Sequence, residues 1–344
     1  MRLTEPNSIL ITGITGFVGS HMAELLIKEF PKSRIYGVKR WHLSNLKNIS
    51  HILEKITFID CDITDPVSTA DLLNLSKPDV VFHFAAESFV SPSWKNPHRY
   101  MHVNYGGTLN LLEAIRKFSP ETIIHIPGSG EEYGDIKANE LPINVNTVIN
   151  PVNPYAVSKV AQDLISKVYF DSYSTKVIRT RSFNHEGPRR SFHFGLPWYA
   201  YQICKIKKSL QEPIIRTGHR FDKRNFTHVK DMCKAYLRAV QYCEFGELYL
   251  IGNSDELYEA TFDQALHEMI EIAGLNNIEV ITVQEYTRPT NVPLLISDCS
   301  KFTDISFWEP TLTLQDIYRD TLEYWENNIE LDYRLKSLGG IHPL

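Results

Sequence analysis

Residues 9–20 read ILITGITGFVGS. Ile9, Leu10 and Ile11 form an apolar run too short for a helix and suited to a buried strand. Gly13, Gly16 and Gly19 follow at intervals of three, with Phe17 and Val18 between the last two. From Phe17 to Phe30 apolar residues recur at helical spacing, at Val18, Met22, Leu25 and Leu26. A strand that ends in a glycine turn and runs into a helix has a particular use. The glycines permit a tight turn and close backbone approach, and the helix N-terminus offers unpaired amides to a phosphate. The spacing is G-x-x-G-x-x-G rather than G-x-G-x-x-G, so the turn alone is a weak signal. Its surroundings make it a predicted dinucleotide site.

Those surroundings alternate. Strands are predicted at 34–38, 57–59, 79–84, 122–126 and 176–181, and helices at 105–118 and 157–173. Strands alternating with helices imply a parallel sheet covered on both faces. After residue 183 the segments shorten and loops lengthen, as in NHEGPRRSFHFG (184–195) and RTGHRFDKRNF (216–226). Helices are expected near 229–243, 261–273 and 313–327. The expected architecture is α/β: a Rossmann-type doubly wound parallel sheet over 1–183, and a smaller mixed α/β substrate region over 184–344. The chain is free to cross between the two.

A net charge of −5 over 344 residues gives no electrostatic case for nucleic acid. No run of about 18 apolar residues occurs, so no membrane span is expected. The N-terminal apolar run leads straight into the glycine turn, unlike a signal peptide. Five cysteines (Cys61, Cys204, Cys233, Cys243, Cys299) without a C-x-x-C pair imply reduced thiols in a cytoplasmic setting. His98 and His102 are spaced to share a helix face, but no third ligand matches, so no metal site is expected.

Three further stretches carry chemistry. The second strand ends Gly37-Val38-Lys39-Arg40. Two cations stand where an NAD enzyme often has an acid for the ribose hydroxyl. That suits a 2′-phosphate, hence tightly bound NADP, with NAD the alternative. A solvated basic turn reads the same way. Asp62, followed by Ile63, ends the third strand and is placed beside the adenine, or else caps a helix. Tyr155 and Lys159 are four apart and share a helix face. An ammonium beside a phenol lowers its pKa and readies it for proton exchange with a substrate hydroxyl, although ordinary helical pairs share the spacing. Finally, the fifth strand runs into IIHIPGSGEEYGDI (123–136), where a hydroxyl, Ser129, precedes two acids, Glu131 and Glu132.

Together these features resemble the extended short-chain dehydrogenase/reductase superfamily, and within it the GDP-mannose 4,6-dehydratase group. The resemblance is carried by TGITGFVGS (12–20), GSGEEYG (128–134), NPYAVSK (153–159), FNHEGPRR (183–190), KRNFTHVKD (223–231) and RPTNVPLLISD (288–298). The first and third are common to the superfamily; FNHEGPRR and the R-P-x-x-V segment are far narrower. The resemblance implies that Ser129 bonds the 4-oxygen of a sugar beside Tyr155. It implies that Glu131, not Glu132, is the base for the proton on carbon 5. Asn184 matches a phosphate-contacting asparagine, and Arg189, Arg190, Arg224 and Arg288 suit the diphosphate of a GDP-hexose or GDP-heptose.

Three departures leave the nucleotide and sugar open. Gly130 replaces a residue that often bears a hydroxyl. SFHFGLPWYAY (191–201) replaces a basic continuation, with Trp198 near a position linked to guanine contact. Asn291 stands where glutamate is usual. The implied reaction is redox-neutral 4,6-dehydration. A GDP-4-keto-6-deoxyhexose reductase, a 4-dehydrogenase or epimerase, and a non-catalytic nucleotide-sugar sensor are the alternatives. VPLLISD (292–298) resembles the reductases as well. Superfamily habit also implies a homo-oligomer, dimer or tetramer, paired through helices that include the tyrosine helix.

Overall fold

The structure, a computed structural model, describes residues 3–329 other than 288 and 291. Its centre is a seven-stranded sheet in the order Leu248–Ile251, Val177–Ser182, Ile123–Ser129, Val80–His83, Ser8–Thr12, Arg34–Lys39, Ile56–Asp60. Every pairing is parallel. Successive strand residues point to opposite faces, and both faces here are covered. Ile9, Ile11, Val80 and Phe82 pack with helices Phe17–Glu29 and Val229–Tyr242. Leu10, Val81, Ile124 and Ile126 pack with helices Pro66–Ser76 and Gly107–Phe118 on the other side. Burial on both faces is why these strands read as unbroken apolar runs rather than alternating ones.

The strand order reverses between Ser8–Thr12 and Val80–His83, and a crevice opens there at the carboxyl ends of the strands. The glycine turn leads from the first of these two strands. The seventh strand and the helix before it come from beyond residue 183, so the chain does return to the sheet after building the loops that follow it.

The second core joins helices Gly195–Lys207, Phe262–Ile272 and Leu314–Asn328, and Leu196, Ile203, Leu266, Ile317 and Tyr318 in it are fully buried. The first of these helices is not foreseen in the sequence. A smaller cluster of Tyr133, Ile143, Phe183, Val292 and Leu295 packs around the turn that follows the fifth strand. Among the described residues no helix is long and apolar enough to cross a membrane, and no group of three metal-ligating side chains gathers.

Candidate active site

The glycine turn is shaped by exclusion. Gly13 has φ +67°, and a Cβ on it would come within 2.8 Å of the Ala85 nitrogen. A Cβ on Gly19 would come within 2.2 Å of the Gly13 carbonyl oxygen. The helix Phe17–Glu29 therefore starts directly against the strand ends, with its first amides facing a cleft of about 660 Å³. Gly13, Gly16, Phe17, Val18 and Gly19 all line that cleft.

One end of the cleft is bounded by Arg40, Ser44, Asp62 and Ile63. Burial favours a protonated Asp62, but the Thr64 N–H and hydroxyl, with Arg40 and Arg99, hold its carboxyl below the usual range. Lys39 does not line this end. Its ammonium pairs with Asp60 on the neighbouring strand, which leaves Arg40 as the cation of the pair that faces the cleft. A cradle closed to side chains, a helix N-terminus and this cation fit an elongated dinucleotide with its phosphates on the turn.

The other end holds Ser129, Glu131, Tyr155 and Lys159. Pro154 opens the helix Pro154–Tyr173, and Asn153 caps it by accepting the Ala156 N–H at 2.8 Å. The Nδ2 of the same Asn153 donates to Glu131 Oε2 at 3.0 Å, so one residue sets both the tyrosine helix and the acid. The Ser129 hydroxyl is close enough to the Tyr155 phenol to pull its pKa down. Glu132 points the other way. It is fully buried, accepts the Ser129 N–H at 2.7 Å and stands 2.7 Å from Nε of Arg181. The two neighbouring acids thus differ in surroundings: one faces the cleft and the other is neutralised beneath it.

Tyr155 and Lys159 line the same cleft, and the lysine also has partners of its own. The Lys159 ammonium donates to the Pro127 carbonyl at 2.6 Å and to Gln162 Oε1. Burial pushes the Tyr155 phenol up to about 12, against the pull of the Ser129 hydroxyl and the Arg190 charge. Lys159 is itself pulled down by burial, opposed by the charges of Glu132 and Asp163.

Two positions escape sequence reading. Asn104 lies on a π-turn, Met101–Gly106, and is fully buried. It donates to Ser158 Oγ at 2.9 Å and to the Glu87 carbonyl at 3.0 Å, tying the tyrosine helix to the loop after the fourth strand. Such π-turns often mark functional sites, but no apolar periodicity announces them. Asn153 carries a signal, since Asn-Pro is a helix start, yet its second bond to Glu131 has none.

Asn184, His185, Arg190 and Phe194 form the wall between the two ends. The Arg190 guanidinium lies 3.9 Å from the Phe194 ring centre and 5.2 Å from that of Phe17. Arg189 and Arg224 are placed differently from the sequence expectation. Arg189, at φ +72°, turns outward to Glu24 at 2.5 Å and Ser20 at 3.3 Å, on the helix behind the glycine turn. Arg224 donates to the Val292 carbonyl at 2.6 Å and the Pro293 carbonyl at 3.3 Å, bracing the short strand Leu294–Leu295. Neither lines the cleft. Trp198 also sits outside it, bonded to the Arg216 carbonyl at 2.7 Å and packed on Tyr201 in the second core. Arg288 and Asn291 lie outside the described residues.

A family model described as GDP-mannose 4,6 dehydratase matches residues 10–321. The chain belongs to that family. It is 29% identical over 326 residues to the GDP-6-deoxy-D-mannose reductase of Pseudomonas aeruginosa, spanning 93% of this chain and 98% of the relative. It is 28% identical over 327 residues to the dTDP-D-glucose 4,6-dehydratase of Homo sapiens, spanning 93% and 90%. Among solved structures, RMD from Pseudomonas aeruginosa complexed with NADPH superposes with a TM-score of 0.79 at 26% identity, covering 93% of this chain and 99% of that one. This member of the GDP-mannose 4,6-dehydratase family therefore has relatives that catalyse reduction and relatives that catalyse dehydration.

Proposed function

We propose that the chain is a GDP-sugar 4,6-dehydratase that works with NADP. The observation that carries the reading is Glu131: its carboxylate shares one cleft with Ser129, Tyr155 and Lys159, is held there by Asn153, and is distinct from the neutralised Glu132. Support for GDP comes from the family and from the Pseudomonas aeruginosa relative. Support for NADP comes from Arg40 at the far end of the cleft and from the NADPH held by the similar solved structure. The nicotinamide dinucleotide, seated on the Gly13–Gly19 turn, supplies a reversible hydride acceptor when bound.

The chain's own residues do the rest. Ser129 bonds the sugar 4-oxygen and Tyr155 takes the proton of the 4-hydroxyl as that carbon is oxidised. The 4-ketone acidifies the proton on carbon 5. Glu131 removes it and delivers it to the departing 6-oxygen, which leaves as water. Carbon 6 regains the hydride first taken from carbon 4, and carbon 5 regains one proton, matching the proton lost from the 4-hydroxyl. Arg190 and Asn184, on the wall between the two ends, face the diphosphate.

A GDP-4-keto-6-deoxyhexose reductase is the second reading. It is favoured by the similarity to the Pseudomonas aeruginosa reductase and by the raised Tyr155 pKa, which holds the phenol in its proton-donating form. Product mass separates them. Incubated with GDP-hexoses and GDP-heptoses, with NADP⁺ or NAD⁺ added in turn, the protein is expected to give a product lighter by one water, and to do so with NADP⁺ at lower concentration. Reduction of an added 4-keto-6-deoxy sugar, with no water lost from any hexose, would select the reductase.

The same reading includes self-association. Val157, Leu164 and Val168 share one face of the tyrosine helix and are 46%, 50% and 49% exposed. Pairing of two such helices buries this stripe. Sedimentation velocity is expected to show a dimer or larger; a monomer at micromolar concentration would set this aside.

A further inference from the structure

Glu132 has no step in the mechanism above, yet much is built around it. Its Oε1 accepts the Ser129 N–H at 2.7 Å, and its Oε2 is 2.7 Å from Nε of Arg181, which is itself buried. Arg181 reaches Asp163 Oδ2 at 2.8 Å, and Asp163 takes Arg179 on both oxygens at 2.7 and 2.9 Å. Four buried charges, two of each sign, thus join three elements: the turn after the fifth strand, the sixth strand, and the tyrosine helix. Asp163 lies on that helix one turn beyond Lys159. The strand end is cut to fit, because a Cβ on Gly128 would come within 2.4 Å of Glu132 Oε1.

Buried carboxylates are costly unless paired and bonded, and an apolar residue of similar volume commonly serves stability as well or better. The arrangement therefore points beyond stability. The Ser129 hydroxyl has a single weak tie within its own turn, the Glu131 N–H at 3.2 Å. Its place is set by its backbone, which the pairing with Ser182 at the strand end and the Glu132 carboxylate on the Ser129 N–H hold between them. We infer that Glu132, oriented by Arg181, is a positioning residue that fixes Ser129 where it can act on the substrate beside Tyr155. This rests on the role proposed for Ser129.

The test removes the ion pair and varies only the acceptor. Arg181→Met/Glu132→Gln keeps an oxygen for the Ser129 N–H. Arg181→Met/Glu132→Leu does not, and in both Asp163 retains Arg179. The glutamine pair is expected to outpace the leucine pair in kcat by roughly tenfold or more at equal KM, as for a misplaced reacting group. Amide hydrogen exchange over 128–133 is expected to show Ser129 protected in the glutamine pair alone. Equal kcat and equal protection would overturn the inference. If either pair fails to fold, Glu132→Asp serves: it keeps the charge near Arg181 but draws back from the Ser129 N–H, so kcat and protection are expected to fall together. A folded Glu132→Asp protein with both unchanged would overturn it. Should the wild-type protein turn over no nucleotide sugar, the function proposed above fails, and Ser129 protection still decides whether Glu132 positions that residue.

Discussion

Tyr155→Phe is expected to lower turnover by about 10³-fold, or about 4 kcal/mol of barrier, while leaving nucleotide-sugar affinity and melting temperature near wild type. The two halves of that expectation come from different parts of the side chain. The ring packs edge-on against Tyr100, with centroids 6.3 Å apart, and phenylalanine preserves this contact. The hydroxyl shares the cleft with Ser129, and phenylalanine deletes only that group. The pH dependence follows from the raised pKa. With the phenol pushed up to about 12, the proton is bound throughout the neutral range in the ligand-free protein. In the proposed reaction, Tyr155 accepts a proton in the direction that oxidises the sugar. The rate is therefore expected to climb as pH rises through neutrality, because the competent form grows with pH. In the direction that reduces a ketone, the competent form is already fully present and the rate stays flat. Steady-state kinetics of both directions across pH, with the wild type and Tyr155→Phe side by side, check this. Turnover within tenfold of wild type in the variant would remove Tyr155 from the proton transfer.

The sheet was legible because its strands are buried on both faces, so that Ile9-Leu10-Ile11 and Val80 to Phe82 read as bare apolar runs bounded by turns. The helix Gly195–Lys207 was not, for a related reason. Leu196, Tyr199, Ala200, Tyr201, Ile203 and Cys204 are all buried in it, so no polar stripe alternates with an apolar one and the helical period is lost. The seventh strand, Leu248–Ile251, is four residues long, and nothing local says that it returns to a sheet begun far upstream. The site shows the same division. Residue types and spacings locate Ser129, Tyr155 and Lys159, because they sit on regular elements. The direction of a side chain on a loop is another matter. Arg189 and Arg190 are adjacent, yet the left-handed backbone at Arg189 sends one to Glu24 and leaves the other over Phe194. The difference between Glu131 and Glu132 is likewise decided by partners distant in sequence, Asn153 for one and Arg181 for the other.

Those distant partners make Glu131→Gln the sharpest probe of the reaction. Glutamine keeps the length of the side chain and an oxygen for the Asn153 amide, so the geometry of the cleft is expected to survive. What it lacks is basicity. In the proposed reaction, oxidation at carbon 4 uses Tyr155 and not Glu131, and is expected to continue. Removal of the proton on carbon 5 needs a base, and loss of water is expected to fall by about 10³-fold or more. In a single turnover the variant should then build up the absorbance of reduced nicotinamide, together with a 4-keto sugar that retains its 6-hydroxyl. Wild-type protein in deuterium oxide supplies the complementary result. Elimination across carbons 5 and 6 must be followed by reprotonation at carbon 5, so the product is expected to carry deuterium there. A reductase or a 4-dehydrogenase leaves the proton on carbon 5 in place, and for either one Glu131→Gln would cost little. Full turnover in the variant, or a wild-type product with no deuterium at carbon 5, would therefore assign Glu131 to the shape of the turn and transfer the function to reduction or simple oxidation at carbon 4.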